Sequence, residues 1–390
     1  MMIGGKIKIA FFCEQDVDSI GGMETHAKYF KKYFICNDML TCLIGNGCIE
    51  QYKDDEEEHI YYENNNELYN YLAVKGITVF FFNNAKWIEK FNEIRKKFPK
   101  VIMIMRSGGN EFMKASLLDM RQDIRKRREI WAQHINCLDY IIANSKFSHD
   151  RMKDIGIYEE KIVIIRGGVD IRKCREYKGG RQTIRDEIYA KYNIEKENKL
   201  LGCIARFETF KGIIPTLRVL NGYQNLKWHL IIAGEGSQKN QIQNYLSNNF
   251  AKNKYTFLGK LNHEEALYTI SSLDMLLNLS INYSRESGQD LYIHTETMGR
   301  SMLEAVCCGV PIVASDVGGI SELFLENKWI GYMMSDFQQF TMLFPSILNN
   351  KAEVKLGDED RYDWKYIFRI YLALMADNKK IIGIEEKLDE

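Results

Sequence analysis

The sequence is poor in the features that mark several protein classes. Four prolines in 390 residues exclude a proline-rich linker or array. No run of 18 or more apolar residues occurs, so no membrane-spanning helix is expected. The only early apolar run, residues 7–13, is broken by Lys8 and followed by Glu14, which is too short for a signal peptide. Nine cysteines (Cys13, Cys36, Cys42, Cys48, Cys137, Cys174, Cys203, Cys307 and Cys308) form no C-x-x-C pair, and the seven histidines show no ligand spacing. A disulfide framework and a metal site are therefore not expected, and the cysteine usage fits a reducing cytoplasm. Acidic and basic residues balance at 53 each, so overall charge points to no polyanionic partner.

What is present is a long chain with 45% apolar and 12% aromatic residues, enough for two cores. Residues 7–13 read as a buried strand, followed by a polar loop through Gly21 and Gly22 and an amphipathic helix over 24–34. Further strands are expected at 39–44, 77–82, 101–105, 140–143 and 162–165, which predicts a mainly parallel sheet with helices on both faces. The acidic run 54–58 reads as a solvated loop, and the packed or solvated reading of His26 is preferred. Residues 171–198, dense in charge and poor in apolar rhythm, are expected to link two domains. Strands then recur at 200–204, 229–233, 255–258, 275–279 and 311–314. The expected division is 1–170, a linker at 171–198, a second domain at 199–355, and a terminal segment at 356–390 with an amphipathic helix over 364–375.

The most informative stretch is 283–322. Glu296 and Glu304 are separated by seven residues, with Gly299 between them where a loop turns into a helix. Met302, Leu303 and Val306 give 300–308 an apolar helical face, and Gly309 and Pro311 stop it before a short strand and a Gly318-Gly319 turn. A helix N-terminus attracts phosphate, whereas carboxylates accept hydrogen bonds from hydroxyls. Hydroxyls on both sides of a diphosphate describe a nucleotide-sugar. On spacing alone, a buried capping acid at 304 and a solvated acid at 296 explain the pattern equally well. Arg206 and Lys211 flank a loop that enters a helix over 213–220, as a clamp for one anion or as two solvated cations. Gly234-Glu235-Gly236 and Gly259-Lys260-Leu261 follow two of the strands, each an ordinary turn or a backbone surface for a ligand.

The string ETMGRSMLEAVCCGVPIVASDVGGISE, Glu296 to Glu322, resembles the acidic signature of retaining glycosyltransferase family 4 (glycosyl transferases group 1), of the bacterial surface-polysaccharide type. Segments 21–27, 143–157 and 162–170 resemble the same family in consistent order. The resemblance implies the GT-B fold: α/β, with two Rossmann-like doubly wound domains facing across a cleft and a C-terminal helix that crosses back to the first. It also implies catalytic roles for Arg206, Lys211 and Glu296, the first two as a diphosphate clamp. Gly22, Gly234, Gly236, Gly259, Leu261, Met298, Gly299, Arg300 and Glu304 would bind the donor, with Glu304 on the ribose. Many members carry a histidine after the strand at 101–105, and this chain has none there. Arg106, Gly109 and Asn110 are the candidates to meet the sugar or acceptor in its place, and His294 is another candidate or a plain loop histidine.

The implied reaction is metal-independent transfer from a nucleotide-diphosphate sugar, a UDP-sugar in the first instance, to a saccharide or lipid-linked saccharide, with no cofactor. Polysaccharide, lipopolysaccharide or capsule biosynthesis would be its setting. From 84 to 130 there are 13 Lys/Arg against 6 Asp/Glu. Leu117, Met120, Ile124 and Trp131 fall on one helical face with Arg121, Arg125 and Arg128 at its margin. Such a helix over 114–131 suits peripheral contact with the inner face of a membrane, or is simply a solvated helix. The patch lacks the interleaved aromatics of a nucleic-acid platform. A nucleotide-sugar epimerase of similar fold and a non-catalytic nucleotide-sugar-binding module are the competing readings.

Overall fold

The first strand is Ile9–Phe12 (β1), and its four side chains alternate between two buried clusters. Ala10 and Phe12 join Phe80, Phe82, Met103 and Met105, while Ile9 and Phe11 join Val79, Phe81 and Ile104. Apolar residues at both phases of a two-residue rhythm are what a sheet covered on both faces requires. The structure is a computed structural model that describes residues 7–13, 21–45, 47–53, 56–108, 112, 122–287, 290–351 and 353–376.

The chain forms two units, one from Met1–Gly168 with Trp364–Glu390 and one from Val169–Asp363. In the first, β1 is followed by β2 (Leu40–Gly45), β3 (Cys48–Lys53), β4 (Glu56–Tyr61), β5 (Val79–Phe82), β6 (Ile102–Arg106), β7 (Tyr140–Ala143) and β8 (Ile162–Ile164). They form one sheet in the order β4-β3-β2-β1-β5-β6-β7-β8, parallel from β2 to β8 with β3 and β4 as an antiparallel edge. The acidic run at 54–58 is thus not simply a loop. Glu56, Glu57 and Glu58 lie in β4, and Asp54 and Asp55 lie outside the described residues. Charge on an outermost strand discourages pairing with another chain, and Lys31 ion-pairs with Glu57 of this strand at 3.5 Å and with Glu50 of β3 at 3.2 Å.

The helix Trp364–Met375 belongs to this unit. Its Trp364, Ile367, Phe368, Tyr371 and Leu374 recur at three- and four-residue spacing and pack with Phe11, Phe30, Phe34 and Phe81. His26, in the helix Gly22–Cys36, is fully buried with Nε2 3.1 Å from Tyr371 Oη, so it is a packed histidine. The basic segment expected at 114–131 overlaps the helix Gln122–Ile135. Leu117, Met120 and Arg121 lie outside the described residues. Trp131 is half-buried against this unit's core. No described helix is long and apolar enough to cross a membrane.

The stretch 171–198, expected as a linker, carries two helices of the second unit, Ile171–Gly179 and Arg181–Lys191. Each buries only a narrow stripe, Ile171 and Cys174 in one and Ile184, Ile188 and Tyr189 in the other. The charge on their remaining faces hid that stripe in the composition. The sheet of this unit comprises β9 (Lys199–Ile204), β10 (Trp228–Ala233), β11 (Tyr255–Gly259), β12 (Met275–Asn278), β15 (Ile312–Ser315) and β16 (Gly331–Met334). Between β12 and β15 a separate hairpin is formed by β13 (Tyr283–Ser287) and β14 (Asp290–His294). All six sheet strands run parallel in the order β11-β10-β9-β12-β15-β16. The order reverses direction between β9 and β12, and at such a switch point the loops beyond the strand ends diverge and leave a crevice for a ligand.

Candidate active site

The loop leaving β9 is held by backbone hydrogen bonds to the loop leaving β10. Phe207 N–H donates to Glu235 O at 2.8 Å, and Gln238 N–H donates to Phe207 O at 2.8 Å. A Cβ at Gly234 would collide with Ala205 O, and one at Gly236 would sit 2.6 Å from Phe207 O. The glycines of the G-E-G segment therefore serve a close backbone crossing that fixes Arg206 and Phe207. The chain then makes a 3-10 turn, Thr209–Lys211, and enters the helix Ile213–Asn221 through Gly212. Gly212 has φ +61°, and a Cβ there would strike the Leu279 carbonyl at the end of β12. Ile281 N–H donates to Phe210 O at 2.8 Å. Lys211 and Ser280 thus meet across the switch point.

Glu296 arrives at the same place from the other side. It follows β14, and its carbonyl accepts the Gly319 N–H at 3.0 Å. Gly318, with φ +59°, lies so near that carbonyl that a Cβ would overlap it. Its carboxylate is ion-paired with Lys211, and Ser280 Oγ stands 3.2 Å from Glu296 Oε2 and 2.9 Å from Asn278 Oδ1, one proton serving either acceptor. Both charged side chains are nearly buried, 12% exposed for Lys211 and 13% for Glu296. Burial alone pushes the Glu296 carboxyl up. The Lys211 ammonium and its hydrogen bond, with smaller help from His294 and Ser280, overcome that and hold it below its ordinary value of 4.5.

His294 lies on the ring of Phe210, with centroids 3.3 Å apart and planes 23° from parallel. Burial lowers its pKa from 6.5 to about 4, with Glu296 opposing and Lys211 and Arg206 assisting, so the imidazole is neutral at pH 7. The guanidinium of Arg206 and the ammonium of Lys211 lie 5.6 and 5.8 Å from the Phe210 centroid, so the two cations converge. Arg206 is exposed, and among the described residues no acid pairs with it.

The second carboxylate is on the helix Arg300–Cys307, which begins at Gly299 with φ +75° and has no side-chain cap at its N-terminus. Glu296 Cγ lies 3.7 Å from where a Cβ on Gly299 would be, so the first carboxylate approaches this helix start. Met298 and Arg300 flank it, half-buried. Glu304 is 5% exposed, and its Oε1 lies 2.7 Å from His263 Nε2 and 3.6 Å from Arg300 Nε. His263 opens the helix His263–Ser272 behind a capping box made by Asn262 and Glu265. Gly259, at the end of β11, accepts the Gly234 N–H at 2.8 Å, and Leu261 packs half-buried on the core.

Arg206, Lys211, Glu296 and His294, singled out in the sequence, are therefore brought together. Glu304, Gly299 and Arg300 form the adjoining group. Sequence reasoning missed Phe210, Ser280 and His263. The aromatic between two cations in A-R-F-E-T-F-K-G was a usable signal for Phe210; nothing local marks the other two. In the first unit, Gly22 is the first residue of its helix, with nothing within 4 Å of a Cβ placed there. Arg106 ends β6 and is buried, its Nη1 3.0 Å from Met23 Sδ, so the interior of the unit engages it rather than a ligand surface. Gly109 and Asn110 lie outside the described residues.

An all-parallel sheet with paired cations and carboxylates at its switch point fits an enzyme that handles a nucleotide-linked substrate, and the comparisons narrow the class. Two solved structures share the fold: Anabaena HepE in complex with UDP, TM-score 0.68 at 14% identity over 95% of this chain and 100% of that one, and sucrose-phosphate synthase from Thermosynechococcus elongatus, TM-score 0.68 at 16% identity with the same coverage. An uncharacterised glycosyltransferase of Methanocaldococcus jannaschii is 24% identical over 394 residues, covering 90% of this chain and 88% of that protein. The fold is GT-B, and the protein is a glycosyltransferase. Its residues 184–361 match the family model of the glycosyl transferases group 1.

Proposed function

We propose that this enzyme transfers a sugar from a UDP-sugar to a saccharide hydroxyl, with retention of anomeric configuration and without a metal ion. The observation that carries the reading is the cluster at the β9–β12 switch point: Lys211 is paired with Glu296, and Arg206 lies beside the same phenyl ring with no acid partner among the described residues. As the sugar–phosphate bond breaks, its electron pair passes to the diphosphate. Two fixed cations and the uncapped N-termini of the helices Ile213–Asn221 and Arg300–Cys307 stabilise that growing charge. The acceptor oxygen bonds to the anomeric carbon from the same face, and its proton passes to the departing phosphate oxygen.

In this reading Glu296 accepts hydrogen bonds from sugar hydroxyls and Glu304 from the ribose. Backbone at Gly234, Gly236, Gly259, Leu261, Met298, Gly299 and Arg300 surrounds the nucleotide, and Gly22 meets the diphosphate. Arg106 holds the first turn of the Gly22 helix through Met23. UDP bound to HepE supports uridine as the base. The basic excess over 84–130 supports a lipid-linked, anionic saccharide acceptor met at a membrane surface, within polysaccharide or glycoconjugate assembly in the cytoplasm.

The test is a panel of UDP-, GDP-, ADP- and dTDP-sugars with EDTA present, following thermal shift and release of free sugar. Stabilisation and slow hydrolysis with a UDP-sugar are expected. Binding of every donor without hydrolysis or transfer to any acceptor, or conversion of the donor into its epimer, would overturn the reading.

A further inference from the structure

The sequence signature that contains Glu304 does not contain the residue that holds it. His263 is 41 positions away, in the first turn of a different helix, yet its Nε2 lies 2.7 Å from Glu304 Oε1. Arg300 approaches the same oxygen at 3.6 Å. Both contacts fall on Oε1, and none of the described hydrogen bonds or ion pairs engages Oε2.

The two helices that carry this contact are joined at their opposite ends as well. Arg181 Nη1 donates to Gly309 O at 3.2 Å, just past the helix Arg300–Cys307, and Nη2 donates to Leu273 O, the C-cap of the helix His263–Ser272. One guanidinium thereby binds the carbonyl ends of both helices, where a cation is favoured. Between the ends, Leu267 and Ile270 share a buried cluster with Leu303 and Cys307. The pair is packed along its length, so the His263–Glu304 contact is set by the fold rather than by a mobile surface histidine. Without His263, Oε1 of Glu304 would keep only the longer contact to Arg300 at 3.6 Å, and a hydrogen bond to a charged group is worth more than one between neutral groups.

We infer that His263 is a positioning residue for ribose recognition: by fixing Oε1 of Glu304 it aims Oε2 at the ribose hydroxyls of the nucleotide. The inference rests on the donor-site reading of Glu304. Its distinctive consequence is that His263 acts on the ribose alone, although it touches no part of the nucleotide in this role.

Calorimetric titration with UDP and with 2′,3′-dideoxy-UDP tests it. The wild type is expected to prefer UDP by about tenfold or more, and His263→Ala to lose that preference through weaker UDP binding, with dideoxy-UDP affinity unchanged. His263→Gln, whose amide nitrogen takes the place of Nε2, is expected to keep most of it. Should the alanine variant fail to fold, His263→Asn, whose amide falls short of Glu304, replaces it. Retention of the full preference in His263→Ala, while Glu304→Ala abolishes it, overturns the inference alone. Retention in Glu304→Ala, or no UDP binding by the wild type, overturns the donor-site reading and this inference with it.

Discussion

His294 shows how one buried side chain translates into pH dependence. Its pKa falls from 6.5 to about 4 because the folded chain buries it against Phe210. The unfolded chain binds the proton more readily, so stability is full above pH 6.5 and declines as pH falls toward 4. A gap of this size corresponds to about 3 kcal/mol. His294→Gln should flatten the loss seen by urea denaturation between pH 7 and pH 5; an unchanged slope would show that burial of the imidazole is not its source. Glu296, held below 4.5, adds its own loss only at lower pH. The pair it forms also limits what can be learned from Lys211. Lys211→Ala leaves a nearly buried carboxylate unpaired, and such a change typically costs about 3–5 kcal/mol of stability. At this scale Arg206 and Lys211 were legible as two cations flanking one short loop before a helix. Ser280 and His263 were not, because each is defined by a partner 16 or 41 positions away.

Among the elements, the turns after the strands decide whether the site exists. Gly318 presses on the Glu296 carbonyl at φ +59°, so Gly318→Ala introduces both a left-handed alanine and a backbone collision. A loss of about 1–3 kcal/mol and a larger loss of turnover are expected, because the displaced atom belongs to the residue that carries the carboxylate. Full activity in Gly318→Ala at unchanged melting temperature would contradict that placement of Glu296. Strands β1, β2, β5 to β12 and β15 and the helices 213–220, 300–308 and 364–375 were legible from apolar rhythm, whereas β3 and β4, polar and partly acidic, were not expected. The hairpin of β13 and β14 was not, since Tyr283, Ser284, Arg285 and Glu286 carry no two-residue apolar alternation. β16 was missed for a similar reason: it is four residues long and begins with glycine. The helices Ile171–Gly179 and Arg181–Lys191 bury stripes too narrow to outweigh their charge.

For the molecule as a whole, the two α/β units were visible because buried parallel strands must be apolar at every position, which leaves a signal that survives without an alignment. The strand order was not visible, and it is the order β11-β10-β9-β12-β15-β16 that explains why Arg206, Lys211 and Glu296 matter. It puts the ends of β9 and β12 side by side, and residues 85 positions apart become an ion pair. The central claim is that Arg206 and Lys211 receive a diphosphate. Arg206 tests it most directly, because its exposed guanidinium pairs with no acid among the described residues and its removal leaves no buried charge behind. The measurement is kcat/KM for hydrolysis of a UDP-sugar by the wild type and Arg206→Ala, with melting temperatures compared alongside. A fall of about 100-fold or more with an unchanged melting temperature is expected. Equal kcat/KM in the two proteins would contradict the account.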